Sequence, residues 1–278
     1  MKETDRRYFF LKDGFKEAKK IRNEVSVAID EALERIKNHS KSNYALLIAH
    51  ADYNKALENN NRFYSYTIND YRSINDDEML VCIKENYLNE AYSSKLKIYE
   101  ESISNIFFEI ALYTHTLESE KHIHEMYRIF KLLSGEDYEW KITKDKGFCR
   151  KEIETLSNKV ECKLSNIYRN IFKLDHDIRN SFAHNSYTIY FDNEMIHYDF
   201  EKITNNITFQ EWTKMFLYQS ELSVQMYNKI YKKGLSFSED LGTDNVLINI
   251  PGDKFGSRKL VHKNFEDKDG IYARFTIE

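Results

Sequence analysis

A chain of 278 residues can bury an ordinary hydrophobic core as one large domain, or as a domain with a modest appendage, without covalent staples. Its three cysteines, Cys82, Cys149 and Cys162, are scattered rather than closely paired, which argues against zinc-ribbon and dithiol motifs and for a reducing, cytoplasmic setting. A formal charge of −4 gives no global attraction for nucleic acid, so such binding must rest on a local patch, and with neither an export signal nor an apolar run near the ~20 residues of a membrane span, no membrane contact is expected.

One proline and eight glycines leave few helix breakers, so helix should dominate. From about Asp5 to His39 the apolar positions Phe15, Ala18, Ile21, Val25, Ile29, Leu33 and Ile36 alternate by three and four, the period of one long amphipathic helix. Ser42 is placed to cap a second helix carrying Tyr44, Leu47, Ile48 and Ala51, which should end near Asn59-Asn60-Asn61. The segment "RFYSYTINDYRSINDDE" reads as a short strand or an ordered loop. From Asp77 a helix with Leu80, Ile83 and Tyr87 leads into a longer one through Leu96, Ile103, Ile110 and Leu117. That pattern resumes through Ile123, Met126 and Phe130 and stops at Ser134-Gly135.

After the basic connector "KITKDKGFCRK", the positions Ile153, Leu156, Val160, Leu164, Ile167, Ile171, Leu174, Ile178 and Phe182 mark one continuous face. Long helices with short connections are best satisfied as an up-and-down bundle. Beyond His184, "SYTIYFDNEMIHYDF" reads as a β-hairpin at about 187–200 turning at Asp192-Asn193. Thr208 with Glu211 forms a capping box for a last helix that should end at Gly234 in the left-handed cap position. The remainder, 235–278, holds three candidate strands, "NVLINI", "SRKLVHK" and "GIYARFTIE", expected to form a small β appendage beside a helical body over 1–234.

The chemistry-bearing stretch is "DIRNSFAHN", residues 177–185. On a helical wheel advancing about 100° per residue, Ile167, Ile171, Leu174, Ile178 and Phe182 share the buried face. Arg179 lies about 100° to one side of Ile178, and His184 about 120° to the other if the helix continues that far. Either the helix ends near Ala183 and the turn swings His184 back, or each residue meets a counterpart from a second copy across a twofold axis. The two alternatives are compatible. Arginine offers a permanently charged fork of donors to a phosphate. Histidine, with a reference pKa of about 6.5, exchanges protons near neutrality. Together they suffice to cleave RNA by attack of the ribose 2′-hydroxyl without metal, and two symmetry-related histidines would supply base and acid.

"RNSFAH", Arg179 to His184, resembles the Arg-x4–6-His signature of the HEPN superfamily, including the polar residue, here Asn180, that follows its arginine. The resemblance implies an α-helical bundle and a metal-independent ribonuclease of toxin–antitoxin, abortive-infection or CRISPR-linked defence systems. It also implies a composite site built across a homodimer, with Arg179 and His184 as the catalytic pair and Asn180 positioning the phosphate or the histidine. A neighbouring antitoxin or other regulatory protein follows from the same resemblance. The competing expectation is a catalytically silent HEPN-like module that binds a protein partner or RNA, with a purely structural Arg179 and His184.

Other candidates are weaker in chemistry. His176 and His184 would stand ~12 Å apart along a helix, too far for one ion, so His176 reads either as solvated surface or as an auxiliary substrate contact, and Asp175 and Asp177 as partners of Arg179 rather than metal ligands. Lys141, Lys144, Lys146, Arg150 and Lys151 form one basic cluster, of which Lys146, Arg150 and Lys151 are the candidate RNA contacts. Lys254, Arg258, Lys259, His262 and Lys263 form another. No Gly-rich phosphate loop, HExxH or Ser-x-x-Lys pattern occurs, and neither cofactor nor metal is expected.

Overall fold

The computed structural model describes residues 15–58, 81, 83–89, 103–190, 192–200, 203–249, 257–267 and 270–277. Among them the chain is mainly helical, with two small antiparallel sheets. The ambiguous segment 62–78 and the approach to the third helical run lie outside the described residues. In chain order come α1 (Phe15–His39), α2 (Lys41–Glu58), a helical stretch at 83–89, α3 (Ile103–Glu118), α4 (Glu120–Leu133), α5 (Lys146–Lys159) and α6 (Lys163–Ala183). Strands β1 (Tyr187–Tyr190), β2 (Met195–Phe200) and β3 (Ile203–Thr208) follow. The chain then forms α7 (Phe209–Leu235), α8 (Phe237–Leu241), β4 (Asn245–Asn249), β5 (Ser257–Asp267) and β6 (Gly270–Ile277).

Several boundaries differ from the sequence reading, each for a local reason. The cap of α2 is Ser40, whose Oγ accepts the Asn43 N–H at 3.2 Å, while Ser42 lies inside the helix. The apolar run toward Ser134 is broken at Ser119, whose Oγ accepts the His122 N–H at 3.1 Å and starts α4. The face from Ile153 to Phe182 belongs to two helices. Val160 turns to an extended conformation, and the Cys162 Sγ accepts the Ser165 N–H to cap α6. The four-residue step from Val160 to Leu164 keeps the apolar period intact across this break. Meanwhile Asp145, inside the expected connector, accepts the Phe148 N–H at 2.9 Å and starts α5.

The hairpin after α6 is a three-stranded meander. Its extra strand, β3, pairs antiparallel with β2 from Ile203 opposite Phe200 to Thr208 opposite Met195. The Thr208–Glu211 capping box forms as expected, with the Glu211 carboxylate accepting from the Thr208 N–H at 3.0 Å and Oγ1 at 2.7 Å. Gly234, however, sits within α7, where it faces the Ala273, Ile48 and Phe275 side chains. The left-handed cap position falls to Gly242, φ +68°, at the end of α8. The three C-terminal strands form the meander β4-β5-β6.

The chain divides into two compact units, the first comprising Met1–Ile29, Asp77–Ile123 and Glu161–Gln225, the second Asp30–Asp76, His124–Val160 and Met226–Glu278. In the second, α2 packs on β4 and β6. Arg128 grips the loop after α4 by donating to the Glu139 and Trp140 carbonyls at 2.9 and 3.0 Å. Tyr44 donates to Asp240 at 2.9 Å, and Lys233 pairs with the same carboxylate at 2.8 Å. His262, expected in a basic patch, is instead buried between Phe237 and Phe275, its Nδ1 2.7 Å from the Ser238 hydroxyl.

The first unit is built around Trp212, fully buried on α7, which makes edge contacts with Tyr113 of α3 and Phe182 of α6, both at 5.2 Å between ring centroids. Its indole N–H donates to Glu109 at 2.8 Å, and the Tyr87 hydroxyl donates to the same carboxyl group at 2.7 Å. Burial pushes the Glu109 carboxyl up to about 7, against the two donors, which pull it down. Nearby in sequence, Lys84 is also fully buried and donates to Gln219 at 3.1 Å and to Ser223 at 3.3 Å. Burial holds its amine well below the usual lysine range.

These shifts have opposite consequences for stability. With Glu109 raised, its contribution is present below its ordinary value of 4.5 and lost as pH rises through about 7. The depressed Lys84 contributes above the ordinary 10.5, and that contribution is lost as pH falls through its folded value. Glu109→Gln removes only the first effect. In urea unfolding, the stability of wild type relative to Glu109→Gln is expected to fall between pH 4.5 and 8 by on the order of 3 kcal/mol. A difference independent of pH over that range would mean that Glu109 does not titrate there.

Candidate functional site

The C-terminal end of α6 is fixed from two sides. Phe182 packs edge-on against Trp212 at 5.2 Å and Tyr187 at 4.9 Å, and Ile178 is fully buried. The helix is closed by a Schellman motif, in which the Ser186 N–H donates to the Ser181 carbonyl at 2.7 Å and the Asn185 N–H to the Phe182 carbonyl at 3.2 Å. Asn185 takes the left-handed position this needs, φ 54°, which asparagine tolerates better than most residues. The last residue of "DIRNSFAHN" is therefore what ends the helix.

His184 occupies the cap itself, its N–H donating to the Asn180 carbonyl at 3.0 Å. Its side chain is exposed and makes no hydrogen bond among the described residues. Of the two alternatives the sequence left open, the helix does end at Ala183.

Arg179 is held in the opposite manner. Its side chain is only 14% exposed, and its Nη1 pairs with the Glu118 carboxylate at 2.8 Å. Its Nη2 donates to the Asn180 side-chain carbonyl at 2.9 Å. Glu118 lies at the end of α3, a helix in contact with α6, so the partner comes from another element rather than from Asp177 on the same helix. The side chains of Asp175 and His176 lie outside the described residues. The structure thus joins Arg179 and Asn180 in one network with Glu118 and leaves His184 outside it.

Lys146, Arg150 and Lys151 lie along the first turns of α5, in the second unit. Lys151 is exposed, whereas Lys146 and Arg150 are half-buried and engaged. Among the described residues no group of three His, Cys, Asp or Glu side chains converges as a metal site, and no helix is long and apolar enough to cross a membrane.

Sequence reasoning missed Glu118, because a salt-bridge partner sixty-one positions away leaves no local trace. It also passed over Glu109 and Lys84, although a signal existed. Each places a charge inside an apolar run, "IFFEIAL" and "LVCIKENYL", and Glu109 falls three residues from Ile106 and four from Tyr113 on their buried face.

The ion pair is open to measurement. In a double-mutant cycle followed by urea unfolding, Arg179→Ala and Glu118→Ala are expected to couple by about 0.5–1 kcal/mol, a modest value because the Glu118 side chain is 42% exposed. Additive effects would mean that the pair is not formed in solution. Comparison with known protein families, curated proteins and solved structures finds no match for this chain.

Proposed function

We propose that the protein is a metal-independent endoribonuclease of HEPN type, acting as a homodimer in defence or toxin–antitoxin. The observation that carries the reading is the end of α6, where a shielded guanidinium tied to Asn180 stands one to two turns before an exposed imidazole with no hydrogen-bond partner among the described residues. These are the residue types that the "RNSFAH" resemblance assigns to catalysis. Arg179 uses Nη1 and Nη2 in these contacts, and the remaining N–H groups of its fork are left to meet a phosphate oxygen. Asn180 sets the orientation of that fork.

In the reaction, a base takes the proton of the ribose 2′-hydroxyl and the oxygen attacks the adjacent phosphorus. The leaving 5′-oxygen takes a proton from an acid, so the products are a 2′,3′-cyclic phosphate and a 5′-hydroxyl. His184 from each copy fills one role, each contributing about 10²–10⁴-fold, and Arg179 stabilises the charge that builds on the phosphoryl oxygens. His176, Lys146, Arg150 and Lys151 remain candidate RNA contacts in this reading, and a regulatory protein that restrains the nuclease belongs to it as well.

A second reading has its own supporting observation. Arg179 is already neutralised by Glu118, as a structural arginine would be. In that case the chain is a catalytically silent HEPN-like module that binds a protein partner or RNA.

Cleavage of mixed RNA in EDTA separates the two. The nuclease reading expects wild type to cut, leaving 2′,3′-cyclic phosphate ends, and His184→Ala and Arg179→Ala each to lose at least about 100-fold in rate. Equal cleavage by wild type and His184→Ala, or binding of RNA without cleavage by the dimer, would sink it in favour of the silent module.

A further inference from the structure

The first unit contains a cavity of about 570 Å³ that neither the sequence reading nor the proposed function uses. It opens among α1, α6 and α7, and its volume falls in the range of small-ligand sites. The floor is apolar, made by the buried Ile167, Ile171 and Met215, and Val27 stands at the rim, 39% exposed.

Four charged side chains line it, two of each sign, and every one already has a partner within the protein. Lys214 pairs with Glu17 at 2.7 Å. Glu24 accepts the Tyr218 hydroxyl at 2.5 Å. The Glu211 carboxylate serves the Thr208 cap, and Lys163 is also engaged. The lining therefore carries no unbalanced charge with which to capture a phosphate, a carboxylate or an ammonium group.

What it offers a guest are amides. The Asn166 side-chain oxygen is taken by Arg169. Asn23 on α1 and Asn170 on α6 line the same cavity with no hydrogen-bond partner among the described residues. Each amide presents a donor beside an acceptor, the pattern that pairs with the N6 and N7 edge of adenine. A neutral flat ring with such an edge covers the apolar floor and uses both amides without disturbing the committed ions.

We infer that this cavity is a binding site for adenine, free or as its nucleoside, with Ile167, Ile171 and Met215 against the ring and Asn23 and Asn170 on its polar edge. The inference stands independently of the ribonuclease reading, because it concerns the first half of α6, residues 163–171, and not its C-terminal end, and needs no cleavage.

The test titrates adenosine, guanosine, cytidine and uridine into the full chain by calorimetry, in wild type, Asn170→Ala, Asn23→Ala and Val27→Trp. Saturable binding of adenosine is expected in wild type. It should weaken about tenfold in either asparagine variant and vanish in Val27→Trp, where the indole closes the mouth. Circular dichroism checks that each variant is folded; if Val27→Trp is not, the two asparagine variants decide. Absence of adenosine binding at millimolar concentration would overturn the inference. So would adenosine binding unchanged in the variants. An apolar dye that enters wild type, is excluded by Val27→Trp and is not displaced by any nucleoside would do so too, since the cavity would then be an apolar site.

Discussion

The hydrogen bond from the Trp212 indole to the buried Glu109 carboxyl group is the constraint on which the geometry of the first unit rests. A carboxyl group with 4% exposure must be supplied with donors, since a buried polar group left unpaired costs about 1–3 kcal/mol or more. Trp212 and Tyr87 supply them, and satisfying Glu109 fixes the indole in one orientation. Once fixed, the indole presents its faces and edges to Tyr113, Phe182 and Phe216, and each such aromatic contact adds about 0.5–1.5 kcal/mol beyond burial. Phe182 is the link outward. It sits two residues before His184 and three after Arg179, so the packing of one aromatic ring places the whole end of α6.

The second unit solves its polar problems differently. Its buried cation, Arg128, is 9% exposed and satisfied by two backbone carbonyls with its guanidinium over the Tyr138 ring. That arrangement keeps the charge and spends it on holding a loop. Lys84 in the first unit donates to an amide and a hydroxyl, neither of which neutralises it, and burial drives it toward the neutral amine instead. The contrast follows from side-chain chemistry. A guanidinium cannot be deprotonated in a protein and must be given acceptors, whereas an amine can surrender its proton.

Legibility followed the range of the interaction. Wherever structure depends on the period of apolar residues, as in α1 from Phe15 to His39 or in the run of α4 to Leu133, the sequence sufficed, while the expected start of the first helix near Asp5 lies outside the described residues. The Thr208–Glu211 box, three residues wide, was equally readable. The breaks at Ser119 and at Val160 to Cys162 were harder. In the second case the apolar spacing runs through the interruption and the cap is a cysteine, outside the usual set of Ser, Thr, Asp and Asn. β3 was missed because Asn205 and Asn206 occupy its centre and only Ile207 is buried. At the candidate site, Arg179, Asn180 and His184 could be singled out from six consecutive residues. The Glu118 contact and the cavity with Asn23 and Asn170 could not, since they depend on how separate helices come together.

The Arg179–Glu118 pair supports either functional reading only as far as its energy allows. The carboxylate is 42% exposed and the guanidinium 14%, so the two partners pay different costs on separation. Glu118 can swing into water and recover its hydration, and an ion pair of this exposure is worth about 1 kcal/mol or less. Arg179 cannot follow it, because Asn180 holds Nη2 and Ile178 anchors the helix beneath. A phosphate arriving at that position exchanges one anion for another that carries comparable charge and accepts the same fork more fully. Occupancy by Glu118 is thus a weak lock on the arginine. What it does is keep a poorly solvated cation neutralised and correctly turned until a stronger acceptor replaces it, which is compatible with catalysis and equally with a resting structural role. The distinction therefore falls on His184, whose exposed ring makes no hydrogen bond, ion pair or ring contact among the described residues.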